Sequence, residues 1–194
     1  ELVDKINALN LDESIKKTSL NVFKRIAIAE SKVHGKNLDE IHFHEVGASD
    51  AVADVVGSVW AYYSLNLDKE KIIGLPISVG GGQVKTAHGI LPVPAPAVLE
   101  ILNGLNFKGG PVSSELATPT GCAIYAELCD EINEFIPLVK AKKTGYGAGS
   151  KDFDHPNVLR IIQTEDENED DKIDVIETNI DHLTGEEIGY LFDV

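Results

Sequence analysis

Methionine is absent from this 194-residue chain, tryptophan occurs once and cysteine only twice. Cys122 and Cys129 lie seven positions apart on one predicted helix, a rise of about 10 Å that excludes a disulfide between them. Both read as small buried apolar groups, and the expected location is the reducing cytoplasm. No apolar run is long enough to span a bilayer, which excludes a transmembrane helix, and no signal-peptide pattern is visible. Positive charge is scarce: 17 Lys and Arg stand against 32 Asp and Glu, a net charge of −15. No basic stripe is present, which argues against a nucleic-acid partner. Several catalytic signatures are also missing. There is no H-E-x-x-H, no G-K-[ST] phosphate loop and no Rossmann glycine fingerprint. Neither serine nor cysteine sits in a recognisable nucleophile elbow. No internal repeat is visible.

The acidity is uneven. Residues 165–194 hold twelve Asp and Glu and one Lys, a net of −11, whereas residues 1–164 hold twenty and sixteen, a net of −4. A hydrophobic fraction of 43% supports a sizeable core. The expected fold class is α/β in the mixed α+β sense, with helices packed on a sheet. The expected organisation is a main domain over 1–163, an acidic linker over 164–172, and the start of a truncated second α/β domain over 173–194. The chain begins at Glu1 and stops at Val194 inside a helical pattern, so an excerpt of a longer protein is expected.

The richest chemistry lies in Ile41-His42-Phe43-His44-Glu45-Val46-Gly47-Ala48-Ser49-Asp50, followed by Asp54. If 41–44 is extended, His42 and His44 share one face and Ile41 and Phe43 the other. Imidazoles beside carboxylates at a turn make a candidate divalent-metal site. Ser49 is a natural N-cap, and Asp50 suits the positive end of the helix that follows. Val52, Val55, Val56, Val59, Trp60 and Tyr63 form its apolar stripe. Asp50 and Asp54 fall on the other face with Ala53, Gly57 and Ala61, small residues that permit close approach. The candidate metal ligands are therefore His42, His44, Glu45, Asp50 and Asp54, together with His88. The same residues also read as exposed strand histidines and a solvated helix face.

Other elements follow from pattern. A short helix is expected over 2–8. A long amphipathic helix opens at Asp12 or Ser14 and runs to His34, with Gly35 as its stop. His34 reads as a residue that compensates the helix dipole rather than as a ligand. Residues 72–79 read as a buried strand and Gly80–Gly89 as a loop. Ala97–Leu102 is a short helix with proline in its first turn, and a helix opens at Thr118-Pro119. Strands over 136–143 and 157–163 bracket a glycine-rich loop.

Three loops have ligand-binding chemistry. Gly81 and Gly82 allow close backbone approach, and Lys85 and Thr86 follow them as possible contacts to a phosphate or carboxylate. Thr118 and Thr120 mark a helix start with free N–H groups. Gly147 lies in a glycine run between lysines that can cradle a phosphate. A flexible hairpin, an ordinary helix cap and a plain turn are the corresponding structural readings.

These motifs, in this order, resemble a known family. The motifs are His42 to Ala48 with Asp50 and Asp54, and Gly82 to His88 with Gly89-Ile90-Leu91-Pro92-Val93-Pro94-Ala95-Pro96-Ala97. Thr118-Pro119-Thr120-Gly121, Gly145-Tyr146-Gly147-Ala148-Gly149, Pro156-Asn157-Val158-Leu159-Arg160 and Glu177-Thr178-Asn179-Ile180-Asp181 complete the set. The family is the pyridinium-3,5-bisthiocarboxylic acid mononucleotide nickel insertion proteins, and the resemblance runs from about residue 38 to the end. It implies a CTP-dependent nickel chelatase of the lyase class that completes the nickel-pincer nucleotide cofactor of lactate racemase. It implies Ni²⁺, with Mn²⁺ or Mg²⁺, and CTP bound mainly through a C-terminal domain. The expected partners are the pincer mononucleotide, lactate racemase as recipient, and further copies of the chain. At 181–183 the family more often shows two acids and a methionine, where this chain has Asp181-His182-Leu183. The resemblance assigns no catalytic residue, so the site residues rest on their own chemistry. Two other functions fit the same residues: a metal- and nucleotide-binding carrier without turnover, and a metal-dependent hydrolase using His42, His44 and Asp54.

Overall fold

The computed structural model describes residues 2–38, 49–86 and 89–165. The described residues divide into two compact units. One runs up to Leu138 and includes Ala148–Asn157; the other holds Val139–Gly147 and the described residues from Val158 on. The linker and second-domain start expected over 164–172 and 173–194 lie, from residue 166, outside the described residues.

The first unit opens with helices α1 (Leu2–Asn7) and α2 (Glu13–His34). Ile15, Val22, Ile26 and Ala29 are buried along α2 at helical spacing, with Phe23 beside them. Asp12 occupies its N-cap position, and Gly35 ends it in the left-handed region at φ 60°, where its N–H reaches the Lys32 carbonyl. Helix α3 spans Ser49–Ser64. Its buried stripe is narrower than the sequence suggests: Ala51, Val55 and Val59 are inside, while Trp60 is 53% exposed. Helix α4 (Pro96–Ile101) buries Val98 and Ile101, and α5 (Pro119–Leu128) buries Cys122 and Ala123.

Helix α2 packs against α1, α3, α4 and α5. The core therefore forms where four helices meet the longest one, with Val22, Ile26, Val55, Val98, Leu102 and Cys122 among its fully buried members. Strands are short and paired. β1 (Ile73–Gly74) runs parallel to β6 (Glu131–Ile132), and β2 (Ile77–Ser78) runs parallel to β5 (Phe107–Lys108). β3 (Gln83–Thr86) and β4 (Gly89–Pro92) form an antiparallel hairpin with Val84 opposite Leu91 and Lys85 opposite Ile90. In the second unit, β7 (Ala141–Ala148) pairs with β8 (Val158–Thr164). The fold is mixed α/β.

Three local expectations are corrected. Residues 72–79 do not form one buried strand. Pro76 has no N–H to give a ladder, so the run splits into β1 and β2 with different partners, and Ile73 and Leu75 are each 37% exposed. Gly80–Gly89 is a loop only in part, because cross-strand pairing turns 83–86 into β3. The glycine run at 144–149 lies mostly inside β7 rather than in a loop. Pairing with β8 overrides the weak strand propensity of glycine there.

Candidate functional site

The C-terminal end of α2, the β3–β4 hairpin and the starts of α4 and α5 enclose a cleft of about 530 Å³. Helix α2 contributes Glu30, Val33 and His34; β3 contributes Val84, Lys85 and Thr86. Leu91, Ala95, Pro96 and Ala97 form an apolar wall, and Glu115, Thr118, Pro119 and Thr120 close the remainder. Pocket walls of this kind suit a ligand with an apolar body and a few polar anchors.

Local sequence explains each position. Along β3, Val84 and Thr86 are half-buried and Lys85 between them is exposed, and the Thr86 hydroxyl donates to the Gly89 carbonyl at 3.2 Å across the hairpin. Thr118 caps α5: its side-chain oxygen accepts from the Gly121 N–H at 3.2 Å, with Pro119 at the first helical position. Lys151 braces the segment before α5 by donating to the Ser114 side-chain oxygen at 3.1 Å and to the Glu115 carbonyl at 2.9 Å. His34 Nε2 lies 3.3 Å from Glu30 Oε2, one helical turn away.

Lys85, Thr86, Thr118 and Thr120, separate in sequence, thus share one cleft. Gly81 and Gly82 are used differently. The Gly81 N–H donates to the Ser114 carbonyl at 3.3 Å, and the Gly82 carbonyl accepts from Val93 at 3.0 Å. A Cβ on Gly82, whose φ is +76°, would lie 3.1–3.2 Å from Ser113 atoms. The close approach these glycines permit is therefore taken up by the chain's own 112–116 segment. Gly147 lies in β7, in the second unit.

Asp50 and Asp54 are exposed on α3, one turn apart. A Cβ on Gly57 of the same face would meet nothing within 4 Å. His42, His44, Glu45 and His88 lie outside the described residues. Among the described residues no three His, Cys, Asp or Glu side chains cluster as metal ligands. Cys122 is unsuited to that role: burial, with Glu115 adding to it, pushes its thiol up to about 12, so it is a neutral thiol. Burial, then Asp130, raises Cys129 to about 11.

Sequence reading missed the contribution of Glu30, His34 and Glu115 to the cleft. The signal for the first two is their i, i+4 spacing at the end of α2. The dipole-compensating position expected of His34 and its place on the cleft wall are compatible.

The family model described as nickel insertion protein matches residues 1–194. The chain belongs to the nickel insertion protein family. Several curated relatives carry the name pyridinium-3,5-bisthiocarboxylic acid mononucleotide nickel insertion protein. The one from Clostridium acetobutylicum is 45% identical over 188 residues, covering 96% of this chain and 44% of the relative. One from Desulfitobacterium hafniense is 44% identical over 191 residues, covering 94% and 47%. A relative from Methanosphaera stadtmanae, provisionally named a nickel insertion protein, is 51% identical over 201 residues, covering 100% and 50%. The chain spans about half the length of the curated relatives it matches. No solved structure matches it. Membership in this family points to metal insertion and Ni²⁺ handling. Among the described residues no helix is long and apolar enough to cross a membrane.

Proposed function

We propose that this chain is the part of a cytoplasmic nickel chelatase that receives the metal and the pincer mononucleotide. The carrying observation is the family match over residues 1–194, and several relatives are named for that substrate. The cleft supports the reading, because it unites a cation, threonine hydroxyls and an apolar wall fit for a phosphorylated heterocycle. Lys85, Thr86, Thr118 and Thr120 orient the substrate phosphate, and Gly81 and Gly82 shape the turn leading into β3. His42, His44 and His88 hold Ni²⁺ in transit, since nickel accepts imidazole nitrogen. Glu45, Asp50 and Asp54 add charge or hold Mn²⁺ or Mg²⁺.

In this reading CTP hydrolysis accompanies insertion, the reaction is of the lyase class, the protein is a homo-oligomer, and lactate racemase receives the product. The main domain covers 1–163, the linker 164–172 and the next domain starts at 173; limited proteolysis near the linker tests that division.

Because the chain spans half of its relatives, a metal- and nucleotide-binding portion without turnover is the second reading. Nickel titration calorimetry on this chain, beside a His42→Ala/His44→Ala variant, is the decisive test. Saturable binding lost in the variant supports the assignment; unchanged binding removes it. Phosphate release from CTP that requires the pincer substrate, measured on the protein expressed from its complete gene, separates insertion from carriage.

A further inference from the structure

We infer that Lys151 is a positioning residue for the substrate phosphate: it pins the 112–116 segment, and through it sets the spacing between Lys85 on β3 and Thr118 and Thr120 at the start of α5. The inference rests on the function proposed above, in which those side chains orient the phosphate. The 112–116 segment lies between the two halves of that grip. On one side it backs residues 80–82, which lead directly into β3. The Gly81 N–H donates to the Ser114 carbonyl at 3.3 Å, and the Leu116 N–H donates to the Val79 carbonyl at 3.1 Å. Gly80 bridges Glu115. On the other side the segment runs into Thr118, the cap of α5. A shift of its backbone therefore moves the turn before β3 relative to the α5 cap.

Lys151 holds this segment from a position outside the cleft lining. Its ammonium donates to the Ser114 side-chain oxygen at 3.1 Å and to the Glu115 carbonyl at 2.9 Å, which places two of its three donors on adjacent residues. Bonds from a charged donor are stronger than neutral ones. The loop that carries Lys151 is itself braced. The Gly149 N–H donates to the Asn157 carbonyl at 2.8 Å, and Asn157 Nδ2 donates to the Lys151 carbonyl at 3.0 Å. A Cβ on Gly149 would lie 2.5 Å from Asn157 Nδ2, so only glycine lets the amide lie there. Lys151 thus reaches the segment from a closed turn, which reduces the entropy lost in fixing its backbone. All of these residues belong to the first unit. Gly149 and Asn157, both members of the sequence motifs, hold the lysine that holds the cleft wall.

The test is isothermal titration on the protein expressed from its complete gene, with the pincer mononucleotide and with the same molecule lacking its phosphate. Lys151→Ala is expected to weaken the mononucleotide by about fivefold and to leave the dephosphorylated ligand within about twofold, because only the phosphate grip loses its spacing. Lys151→Arg, which keeps a charged donor, should restore most of the affinity. Ser114→Ala, which removes one acceptor and no charge, should weaken the mononucleotide in the same direction and by less. Parent affinity for the mononucleotide in Lys151→Ala would overturn the inference and leave the functional reading standing. Equal weakening of both ligands would also overturn it, assigning the brace to the cleft as a whole. So would parent affinity in Ser114→Ala together with a flattened salt dependence in Lys151→Ala, which would assign Lys151 to direct attraction of the phosphate. A parent protein that binds neither ligand would overturn the functional reading and this inference with it.

Discussion

Glu127 receives two side chains from α2 at once: Arg25 Nε donates to its Oε2 at 2.6 Å and Asn21 Nδ2 to its Oε1 at 3.0 Å. The pair of bonds ties α5 to α2, the two helices whose ends flank the cleft. Arg25 is partly exposed, so solvent screening reduces its share. Glu127→Ala should cost about 1–2 kcal/mol and lower Tm by a few degrees. Thermal unfolding of the variant measures this, and an unchanged Tm would show that the α2–α5 seam rests on apolar packing alone.

Gly80 has φ +90°, and a Cβ there would lie 1.9 Å from the Ser114 carbonyl oxygen. Its backbone also bridges Glu115. Gly80→Ala should therefore destabilise the unit by roughly 2–4 kcal/mol, combining a disfavoured backbone region with a backbone clash. Denaturant titration is the check; a cost below about 1 kcal/mol would mean that the 112–116 segment moves freely aside.

Lys85 is the only lysine or arginine lining the described cleft. Lys85→Ala should weaken binding of the pincer mononucleotide by about tenfold and flatten its salt dependence. Isothermal titration at two ionic strengths tests both parts. Equal affinity in the variant would move the phosphate away from β3.

The thiol of Cys122 is raised from 9.0 to about 12, first by burial and then by Glu115. Burial, and to a smaller degree Asp130, raises Cys129 from 9.0 to about 11. Above pH 9 an unfolded thiol loses its proton while the folded one keeps it. Unfolding then releases protons, so this contribution is fully present below pH 9 and is lost as pH rises toward 12. Stability should decline across that window, and Cys122→Ala should flatten the decline. Slow native alkylation at pH 8, becoming rapid on unfolding, is the companion observation.

Helices were the most legible part of the fold. The apolar spacing of α2, its Gly35 stop and the Thr118-Pro119 cap are local signals, and each produces the element it predicts. Strands were less legible because pairing is not local. Nothing within Gln83–Thr86 reveals that Gly89–Pro92 will return beside it, and although Pro76 marks a break in 72–79, nothing there reveals which partners the two halves take. The exposure of Trp60 is of the same kind, since a helix face is buried only where another element covers it.

For the site, sequence alone supplied chemistry: a lysine and threonines in two loops. It also determined family membership, because ordered motifs survive without any knowledge of contacts. Tertiary structure decided which of these groups meet. Residues 30–34, 84–86 and 115–120 come to one cleft only because α4 and α5 both pack on α2. It also turned Gly81 and Gly82 toward the 112–116 backbone. Short-range preferences fix what a segment is, whereas burial of apolar surface, which acts across the whole chain, fixes what it faces.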